Sequence, residues 1–415
     1  MSNNSFNGFG IAPSLLEILE RNHFTVPTPI QHQSIPAGLE GKDIIGIAQT
    51  GTGKTLAFGV PMIQRIATHG LKGLVVLPTR ELAIQVDETL QKIGKSLGLR
   101  TAILIGGESM QKQINQLKRK PHIIIATPGR LIDHVEQKLV SLDAIKVLVL
   151  DEADRMFDMG FSPQIHKILA WLPQPDQRQT MLFSATMPDG IVALAARHMA
   201  LPVRVEVAPA GSVTELVEHE IFIVKREAKM DLLETLLREY KGSVLVFSRT
   251  KHGATKIAHW LKGTGESVTE LHSNKSLAQR RQALDGFKSD RYRVLIATDI
   301  AARGIDVANI ELVINFDLPS NSEDYVHRIG RTGRAGNAGK AISLATPDEQ
   351  AEIRSIERLI QKTITVTRHD SVSPELLAIQ KHVRRQSPMR PQRRPSFGAS
   401  RPYNRSRFAP SRRSR

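Results

Sequence analysis

The chain contains 415 residues, of which 40% are hydrophobic and none is cysteine, and its formal net charge is +16. This length accommodates two or three domains with cores of their own, and the lack of cysteine excludes disulfide bonds and thiolate metal sites. No stretch approaches the roughly 18 apolar residues of a membrane-spanning helix, and the first residues lack the basic and apolar regions of a secretory signal. We therefore expect a cytoplasmic protein without a membrane partner.

Short β-branched apolar runs alternate with amphipathic stretches along most of the chain. The predicted strands are residues 43–48, 73–77, 101–106, 122–126, 146–150, 180–184, 203–207, 219–225, 243–248, 267–272, 293–297, 312–316 and 340–345. Helical periodicity is clearest at residues 13–22, 81–96 and 229–239. Because continuous apolar runs are typical of strands buried on both faces, the sequence predicts an α/β fold built on parallel sheets.

The alternation of strands and helices is interrupted twice. The segment 208–216 fits neither periodicity, so we assign it to a linker between domains at 1–207 and 217–370. Residues 384–415 contain eleven Arg and no Lys, Asp or Glu, which leaves a net charge of +5 for the rest of the chain. Such a composition cannot bury enough apolar surface to fold, so residues 371–415 are predicted to be a disordered tail. Its positive charge predicts a polyanionic partner, most often nucleic acid.

A phosphate-binding loop is predicted directly after the first strand. The pattern requires glycines, so that the backbone can wrap around phosphate oxygens, and a Lys and a Thr at the start of the next helix. Lys54 would neutralise the β- and γ-phosphates, and Thr55 would bind Mg²⁺. Ala48 is a departure, since the pattern normally opens with Gly. The predicted ATP-binding loop consists of Ala48, Gln49, Thr50, Gly51, Thr52, Gly53, Lys54 and Thr55.

Two carboxylates follow the apolar run 147–150, at the end of a predicted buried strand. Such an acidic pair is more often the solvated start of a helix. Here four apolar residues lead directly into it, and ligands of α/β sheets bind at the carboxyl ends of the strands. We therefore expect Asp151 to bind Mg²⁺ together with Thr55, and Glu152 to orient and deprotonate the attacking water. ATP and Mg²⁺ are thus the predicted cofactors.

Further segments, taken in chain order, carry a family resemblance. They are residues 24–31, 78–83, 106–107, 127–130, 151–154, 184–186, 246–250, 297–306 and 327–334. With these motifs the chain resembles a DEAD-box ATP-dependent RNA helicase over residues 6–365, and its body and Arg-rich tail are most similar to the bacterial RhlE branch. The resemblance implies two tandem RecA-like parallel-sheet domains with a nucleotide cleft between them, followed by the basic tail.

The resemblance implies an adenine-reading segment at residues 7–35. The side-chain amide of Gln31 would pair with the adenine edge, since it offers both a donor and an acceptor. Phe24 would pack near the base, and Phe9 is a second candidate, although either aromatic alone is more often part of a core. The implied nucleotide contacts of the second domain are Gly304 and Asp306.

The resemblance also assigns catalytic arginines to the second domain. Arg331 and Arg334 would act as arginine fingers, which stabilise the charge that develops on the γ-phosphate and are worth about 10³–10⁵ in rate in other nucleotide hydrolases. The active site, with Lys54, Asp151 and Glu152 on the first domain, would then be complete only when the two domains close. The residues implied to couple closure to RNA binding are Asp154, Ser184, Thr186, His327 and Arg328.

RNA would be bound along both domains. The implied contacts are Arg80, Gly107, Thr127, Arg130, Arg249, Thr250 and Thr298. Such residues contact the sugar–phosphate chain and not the base edges, so we expect low sequence specificity. A preference for RNA over DNA requires contacts to the 2′-hydroxyl, and here it follows from the resemblance alone.

The chain departs from the family pattern at three places. His23 stands where the adenine segment usually has Gly, and Ser273-Asn274 stand where Gly-Asp is usual. Leu277 replaces the Gln of the Gln-x-x-Arg motif, although Arg280 is retained. The last change puts one polar contact of the second domain in question and leaves the hydrolytic groups untouched.

The expected function is RNA-stimulated ATP hydrolysis coupled to local unwinding of RNA duplexes or to remodelling of RNA–protein complexes. Two alternatives use the same sites: an ATP-gated RNA clamp or assembly platform that unwinds little, and a DNA helicase. The expected partner is structured or double-stranded RNA, with ribosomal RNA as one candidate, and the tail would tether the core to it. Ribosome-assembly or RNA-decay proteins are candidate protein partners, and the core is expected to be monomeric.

Overall fold

The computed structural model describes residues 5–49, 51–207, 217–302, 310–333 and 339–367. All of them belong to one compact unit, Met1–Ala378. We call the part before the predicted linker the first lobe and the part after it the second lobe. The predicted linker and the predicted tail lie outside the described residues. Within the described ranges, none of the helices is long and apolar enough to cross a membrane.

A seven-stranded sheet forms the centre of the first lobe. Its strands are β1 Ile44–Ile47, β2 Lys72–Val76, β3 Thr101–Leu104, β4 Ile123–Ala126, β5 Ile145–Leu150, β6 Gln179–Ser184 and β7 Val203–Glu206. They lie in the order β3-β4-β2-β5-β6-β1-β7, and the neighbouring strands run parallel. The four residues of β1 and of β4 are all buried, as expected for strands that are covered on both faces.

Helices cover both faces of this sheet. They are α1 Pro13–Arg21, α2 Pro29–Leu39, α3 Lys54–His69, α4 Arg80–Gly94, α5 Met110–Lys118, α6 Pro128–Glu136, α7 Ala153–Asp158, α8 Ser162–Ala170 and α9 Asp189–His198. Local signals fix several helix ends: the Thr79 hydroxyl accepts from the Leu82 amide at the start of α4, and Gly70 ends α3 in the left-handed conformation. The apolar faces of these helices form one core on each side of the sheet.

The second lobe repeats this architecture. Its strands are β8 Val217–Ile223, β9 Val244–Phe247, β10 Val268–Leu271, β11 Val294–Ala297, β12 Leu312–Asn315, β13 Gly339–Ala345 and β14 Thr365–Thr367. They form a second parallel sheet in the order β10-β11-β9-β12-β13-β8-β14. Its helices are α10 Lys229–Glu239, α11 Lys251–Gly263, α12 Leu277–Lys288, α13 Asp299–Ala302, α14 Ser322–Ile329 and α15 Gln350–Ile360.

The structure confirms the predicted parallel α/β class. Each of the thirteen predicted strands coincides with an observed strand, and the three predicted helices are α1, α4 and α10. The prediction missed β14, which has three residues and pairs with β8 at the edge of the second sheet. Its central residue, Val366, is 57% exposed, so this short strand lacks the apolar run that marks the others.

The order of the strands separates two groups of loops at the carboxyl edge of the first sheet. The loops after β5, β6 and β1 lie side by side, and they carry the acidic residues, Ser184 and the phosphate loop. The loops after β3, β4 and β2 form the other half of the same edge, and they carry the predicted RNA contacts. One edge of the sheet therefore presents a predicted nucleotide side and a predicted RNA side.

Candidate active site

The phosphate loop connects β1 to the N-terminus of α3. Gly53 precedes α3 with φ +88°, and a Cβ atom there would lie 2.3 Å from Nε2 of Gln31. Both the left-handed backbone and the lack of space therefore require Gly at this position. The Lys54 ammonium is buried and donates to the Ala48 carbonyl at 3.0 Å, and the Thr52 hydroxyl donates to the Gln49 carbonyl at 2.7 Å.

This geometry suits a phosphate ligand. The free N–H groups at the start of α3 and the positive end of its dipole face the loop. Lys54 Nζ lies 3.9 Å from Oδ1 of Asp151, so the cation is already between the loop and the acidic residues. The half-buried Gly53 and Thr55 also lie here, together with the exposed Gly51. Thr50, the remaining predicted residue of the loop, lies outside the described residues.

Asp151 and Glu152 follow β5 directly, as predicted. Both side chains are buried, and Glu152 has φ +52° and ψ +49°. A left-handed backbone is uncommon for a residue with a Cβ atom, and such strain is concentrated at functional sites. Burial raises the pKa of Asp151 to about 6, although the charge of Lys54 lowers it in part. The raised pKa means that the positive charge near the Asp151 carboxylate does not offset the cost of burying it.

The buried carboxylate of Asp151 therefore suits a magnesium ion, and Thr55, at the start of α3, is the second predicted ligand. Mg²⁺ is usually held by one or two protein oxygens and completes its octahedral shell with phosphate and water oxygens. A divalent cation at Asp151 would supply the charge that its buried carboxylate lacks. The binding of Mg²⁺ by these two residues stays a prediction.

Asp154 connects the acidic segment to the loop after β6. Its Oδ2 accepts from the Ala185 amide at 3.0 Å, the Thr186 amide at 2.8 Å and the Thr186 hydroxyl at 3.0 Å. The Asp154 amide in turn donates to the Ser184 hydroxyl at 3.1 Å. Burial would raise the pKa of Asp154, but the charges of Arg155 and Lys54 and the hydrogen bond from the Thr186 amide lower it. The carboxylate is thus ionised and fixes this loop.

Arg155 is a residue of the site that the sequence analysis did not identify. Its side chain is 1% exposed and lies between the lobes. Nη1 is 3.5 Å from Oε2 of Glu152, and Nη2 is 3.0 Å from Nδ1 of His327 in α14. Because an arginine N–H only donates, Nδ1 of His327 is the acceptor in this contact. Arg155 therefore joins the predicted water-activating residue to the second lobe.

A cavity lies where the two lobes meet. It is lined by residues that include Gln49, Arg155, Thr186, His327 and Arg331. Arg331 is 2% exposed and lies two residues after the end of α14. The structure thus brings one predicted ATP-binding residue, one predicted arginine finger and two predicted coupling residues together with Arg155. Three further predicted residues, Gly304, Asp306 and Arg334, lie outside the described residues.

Arg328 makes its contacts within the second lobe. Its guanidinium binds both carboxylate oxygens of Asp299, at 2.5 and 2.8 Å. It also donates to the Asn315 side chain at 3.1 Å and to the Asp317 carbonyl, and it stacks over Phe247 at 5.0 Å. Asp299 follows the predicted RNA contact Thr298, so Arg328 links the start of α13 to the end of β12. Its coupling role stays a prediction.

The adenine-reading segment lies against the phosphate loop. Gln31 is buried; its Oε1 accepts from the Thr28 amide at 3.0 Å and its Nε2 donates to the Gly53 carbonyl at 3.0 Å. Phe9 is 7% exposed and packs edge-on against His32, so it belongs to the core. Contact of Gln31 with adenine stays a prediction; these two bonds leave one lone pair of Oε1 and one N–H of Nε2 for such a contact.

Phe24 and His23 occupy the turn after α1. Phe24 is half-buried, with Lys92 Nζ 5.3 Å from its ring centroid; its contact with a base stays a prediction. His23 has φ +62°. This left-handed backbone explains why the family pattern has Gly here, and His is among the residues that tolerate it better than most.

The predicted RNA contacts of the first lobe lie together on the other half of the edge. Gly107 has φ +75°, and a Cβ atom there would lie 2.2 Å from Nη1 of Arg80. Arg130 donates to the Glu108 carbonyl at 3.1 Å and to Oε1 of Gln113 at 3.3 Å. Thr127 precedes α6 on the same edge and is 9% exposed. Two cationic side chains and a turn rich in Gly thus form one surface.

Gln113 was also missed by the sequence analysis. It is 2% exposed, and its Nε2 donates to the Ile105 carbonyl at 2.8 Å, directly before the Gly-Gly turn. Its Oε1 lies 3.0 Å from Nε2 of the buried His134 and also accepts from Arg130. Gln113 therefore fixes Arg130 relative to the Gly-Gly turn.

The predicted RNA contacts of the second lobe are organised by two acidic residues. The Arg249 amide donates to Oδ2 of Asp317 at 3.0 Å, and its guanidinium pairs with Glu349 at 2.8 Å. The Thr250 hydroxyl accepts from the Gly253 amide at 3.0 Å and caps α11. Thr298 follows β11, the neighbour of β9. The three predicted residues therefore lie on adjacent loops.

Comparison with known proteins identifies the family. The DEAD/DEAH box helicase family matches residues 28–194, and the helicase conserved C-terminal domain matches residues 228–336. The ATP-dependent rRNA helicase RRP3 of Debaryomyces hansenii is 43% identical over 364 residues, which cover 87% of this chain and 76% of that protein. The chain belongs to the DEAD-box RNA helicases.

Other relatives of the helicase agree with this assignment. The DEAD-box ATP-dependent RNA helicase CshA of Bacillus cereus is 43% identical over 361 residues, or 86% of this chain and 68% of that protein. The structure of S. cerevisiae Dbp5 bound to RNA and ADP BeF3 superimposes with a TM-score of 0.78 at 32% identity, over 88% of this chain and 95% of that chain. The helicase is thus an ATP-hydrolysing enzyme with two RecA-like lobes, as the resemblance implied.

A second contact between the lobes of the helicase involves α12. Leu277 at its start packs against the core of the first lobe. Arg280 pairs with Glu81 of α4 at 2.5 Å, and Arg281 lies 3.4 Å from Glu88 of the same helix. The Leu at position 277 therefore replaces a polar contact with an apolar one and remains part of the interface.

Proposed function

We propose that this protein hydrolyses ATP with Mg²⁺ when bound to RNA, and that closure of the two lobes separates short RNA duplexes. The observation that carries the proposal is the position of the acidic segment. Asp154 holds the loop after β6, while Arg155 joins Glu152 to His327 of the second lobe. A change in the distance between the lobes must therefore alter the environment of Glu152.

The nucleotide would be bound mainly by the first lobe. Lys54 would leave the Ala48 carbonyl and pair with phosphate oxygens, and the amides at the start of α3 would donate to them. Asp151 and Thr55 would hold Mg²⁺. The ion would neutralise charge on the β- and γ-phosphates and orient the γ-phosphate for in-line attack. Glu152, held in place by its backbone and by Arg155, would orient the attacking water and accept its proton.

The second lobe would complete the site. Arg331 lines the cavity beside Arg155 and would stabilise the charge that develops on the γ-phosphate. Arg334 is the second predicted arginine finger. After hydrolysis the lobes would lose their link through the γ-phosphate and separate, which would release RNA and reset the cycle.

RNA would lie across the carboxyl edges of both sheets, on Arg80, Arg130, Arg249 and the loops beside them. These groups are suited to the sugar–phosphate chain, so we propose a substrate that is chosen by structure and not by sequence. The relatives named rRNA helicase support ribosomal RNA as a substrate and ribosome-assembly proteins as partners. The Arg-rich tail supports assignment to an RhlE-like bacterial branch and a role as an RNA tether in the cytoplasm.

The direct test compares the Glu152→Gln variant with a matched surface variant, Glu136→Gln. Glu152→Gln should bind ATP and RNA with nearly normal affinity and lose RNA-stimulated hydrolysis, whereas Glu136→Gln, whose partner is the surface residue Lys167, should behave as the parent. Single-stranded DNA of the same sequence should stimulate little. Normal hydrolysis by Glu152→Gln would refute the assignment, and equal stimulation by DNA would favour a DNA helicase.

A second measurement distinguishes an RNA-unwinding enzyme from an RNA clamp. The parent protein should separate a short RNA duplex in the presence of ATP at a rate that follows hydrolysis. If it instead retains RNA for long periods with a non-hydrolysable ATP analogue and separates no duplex with ATP, the protein is an RNA clamp.

A further inference from the structure

The outer face of α11 carries a concentration of positive charge. Residues 249–263 contain four Lys or Arg, two His and no Asp or Glu. Lys251, Lys256 and Lys262 form no ion pair within the described part of the chain. Other cations of this lobe, such as Lys275 and Lys340, do pair with carboxylates. The positive charge of α11 is thus available to an anionic partner.

An exposed tryptophan lies within this charge. Trp260 is 44% exposed, although Trp is usually highly buried. His252, Lys256, His259 and Trp260 are spaced as neighbours on one helix face, and all four are exposed. On the opposite face Ala254, Ile257, Ala258 and Leu261 are buried in the core of the lobe. The packing of that face fixes the orientation of the helix, so the indole is held outward.

This face is continuous with the proposed RNA path. Arg249 and Thr250, two of its residues, precede α11, and Thr250 caps the helix. At a rise of about 1.5 Å per residue, Trp260 lies roughly 15 Å along the helix from Thr250. A nucleic acid strand that leaves the carboxyl edge of the sheet at Arg249 can therefore follow α11 to the indole.

We propose that the face formed by His252, Lys256, His259 and Trp260 binds single-stranded RNA that extends beyond the RNA path between the lobes. Trp260 stacks on an unpaired base, while Lys256 and its neighbours contact phosphates. An intact duplex hides the faces of its bases from such a side chain, so the occupant is single-stranded. The proposal rests on the proposed RNA-binding function of the core, and it adds a site that would hold one strand after the duplex opens.

The two tryptophans of the chain, Trp171 and Trp260, allow a direct test. Trp171 is half-buried in the first lobe, with Lys167 above its ring. In the full-length Trp171→Phe variant, Trp260 alone emits. Its fluorescence should be quenched on titration with single-stranded oligouridylate, with the quench growing as the RNA is lengthened. A blunt RNA duplex should quench it less. The reciprocal Trp260→Phe variant, which reports Trp171, should show little change.

Affinity measurements complete the test. Trp260→Ala should weaken the binding of long single-stranded RNA by about fivefold or more, the loss expected for one stacked base. Lys256→Ala should reduce the slope of log affinity against log salt by about 0.7, the value for one phosphate contact on a single strand. Lys95→Ala, at the far end of α4, should change neither. All of these variants should retain ATP hydrolysis stimulated by short RNA.

The outcomes distinguish this site from the core function. If RNA stimulates hydrolysis while Trp260 fluorescence and the affinity of Trp260→Ala stay unchanged, the site on α11 is refuted and the helicase function stands. Equal quenching by a blunt duplex would also refute binding through an unpaired base. If no RNA stimulates hydrolysis in the parent protein, the proposed function fails instead.

Discussion

The buried carboxylate of Asp151 should make the ligand-free protein less stable than its Asp151→Asn variant. Burial raises its pKa from 3.8 to about 6, and this value already includes the attraction of Lys54. One pKa unit corresponds to about 1.4 kcal/mol, so the ionised side chain should cost up to about 3 kcal/mol of folding free energy. Asn has the shape of the carboxyl group without its charge and should recover most of this cost.

The effect should depend on pH with a defined sign. Because the pKa of Asp151 is higher in the folded than in the unfolded chain, the folded chain binds the proton more tightly. The difference in stability between Asp151→Asn and the parent should therefore be near zero below pH 4. It should grow between pH 4 and about 6 and stay constant above that value.

Thermal unfolding measured at pH 4, 6 and 8 without nucleotide tests this reasoning. For a lobe of about 200 residues, 3 kcal/mol corresponds to a rise in Tm of roughly 6–12 °C at pH 8. Asp176→Asn, at an exposed site of the same lobe, should leave Tm nearly unchanged. ATP with Mg²⁺ should raise the Tm of the parent and have little effect on Asp151→Asn. A variant less stable than the parent at pH 8 would show that the carboxylate is adequately neutralised within the protein.

Three further predictions concern residues that join parts of the site. Arg155→Lys should lower RNA-stimulated hydrolysis about tenfold or more and retain ATP affinity, because the shorter side chain cannot reach His327. Steady-state ATPase assays measure this effect, and normal turnover by the variant would contradict it. Gln113→Leu should weaken RNA affinity several-fold in anisotropy titrations and leave hydrolysis without RNA unchanged. Arg280→Ala should raise the RNA concentration needed for half-maximal stimulation about tenfold, and the exchanged pair Glu81→Arg with Arg280→Glu should recover part of the loss.

The sequence was sufficient to predict most of the fold because the strands are continuous apolar runs. Such runs as 147–150 and 294–297 have few alternatives to a buried parallel strand. The edge strand β14 is the exception, since three residues with an exposed Val366 have no pattern that differs from a loop. The conformation of Glu152 was also beyond prediction, because a left-handed backbone at a residue with a Cβ atom is imposed by its surroundings.

The site was predicted where a motif marks its residues, and it was missed where a residue acts through contacts distant in sequence. Arg155 follows the acidic segment as an ordinary helical arginine, and its partner His327 is 172 residues away. Gln113 lies in an amphipathic helix, and its contacts with Ile105 and Arg130 come from the fold. A buried Arg or Gln has no signal in a single sequence, because the same residue types are usually exposed.

Asp154 attaches the acidic segment to the first lobe, and Arg155 attaches it to the second lobe. Asp154 is bonded to the loop after β6 within the first lobe, so this part of the segment cannot move alone. Arg155 contacts His327 of the second lobe, so this part responds to the distance between the lobes. Glu152 precedes both residues and has a backbone conformation that an isolated chain would avoid. Separation of the lobes would remove the contact with His327. The side chain of Arg155 would then move and displace the Glu152 carboxylate from its position. Efficient hydrolysis would then require the closed arrangement, even with every group of the first lobe in place.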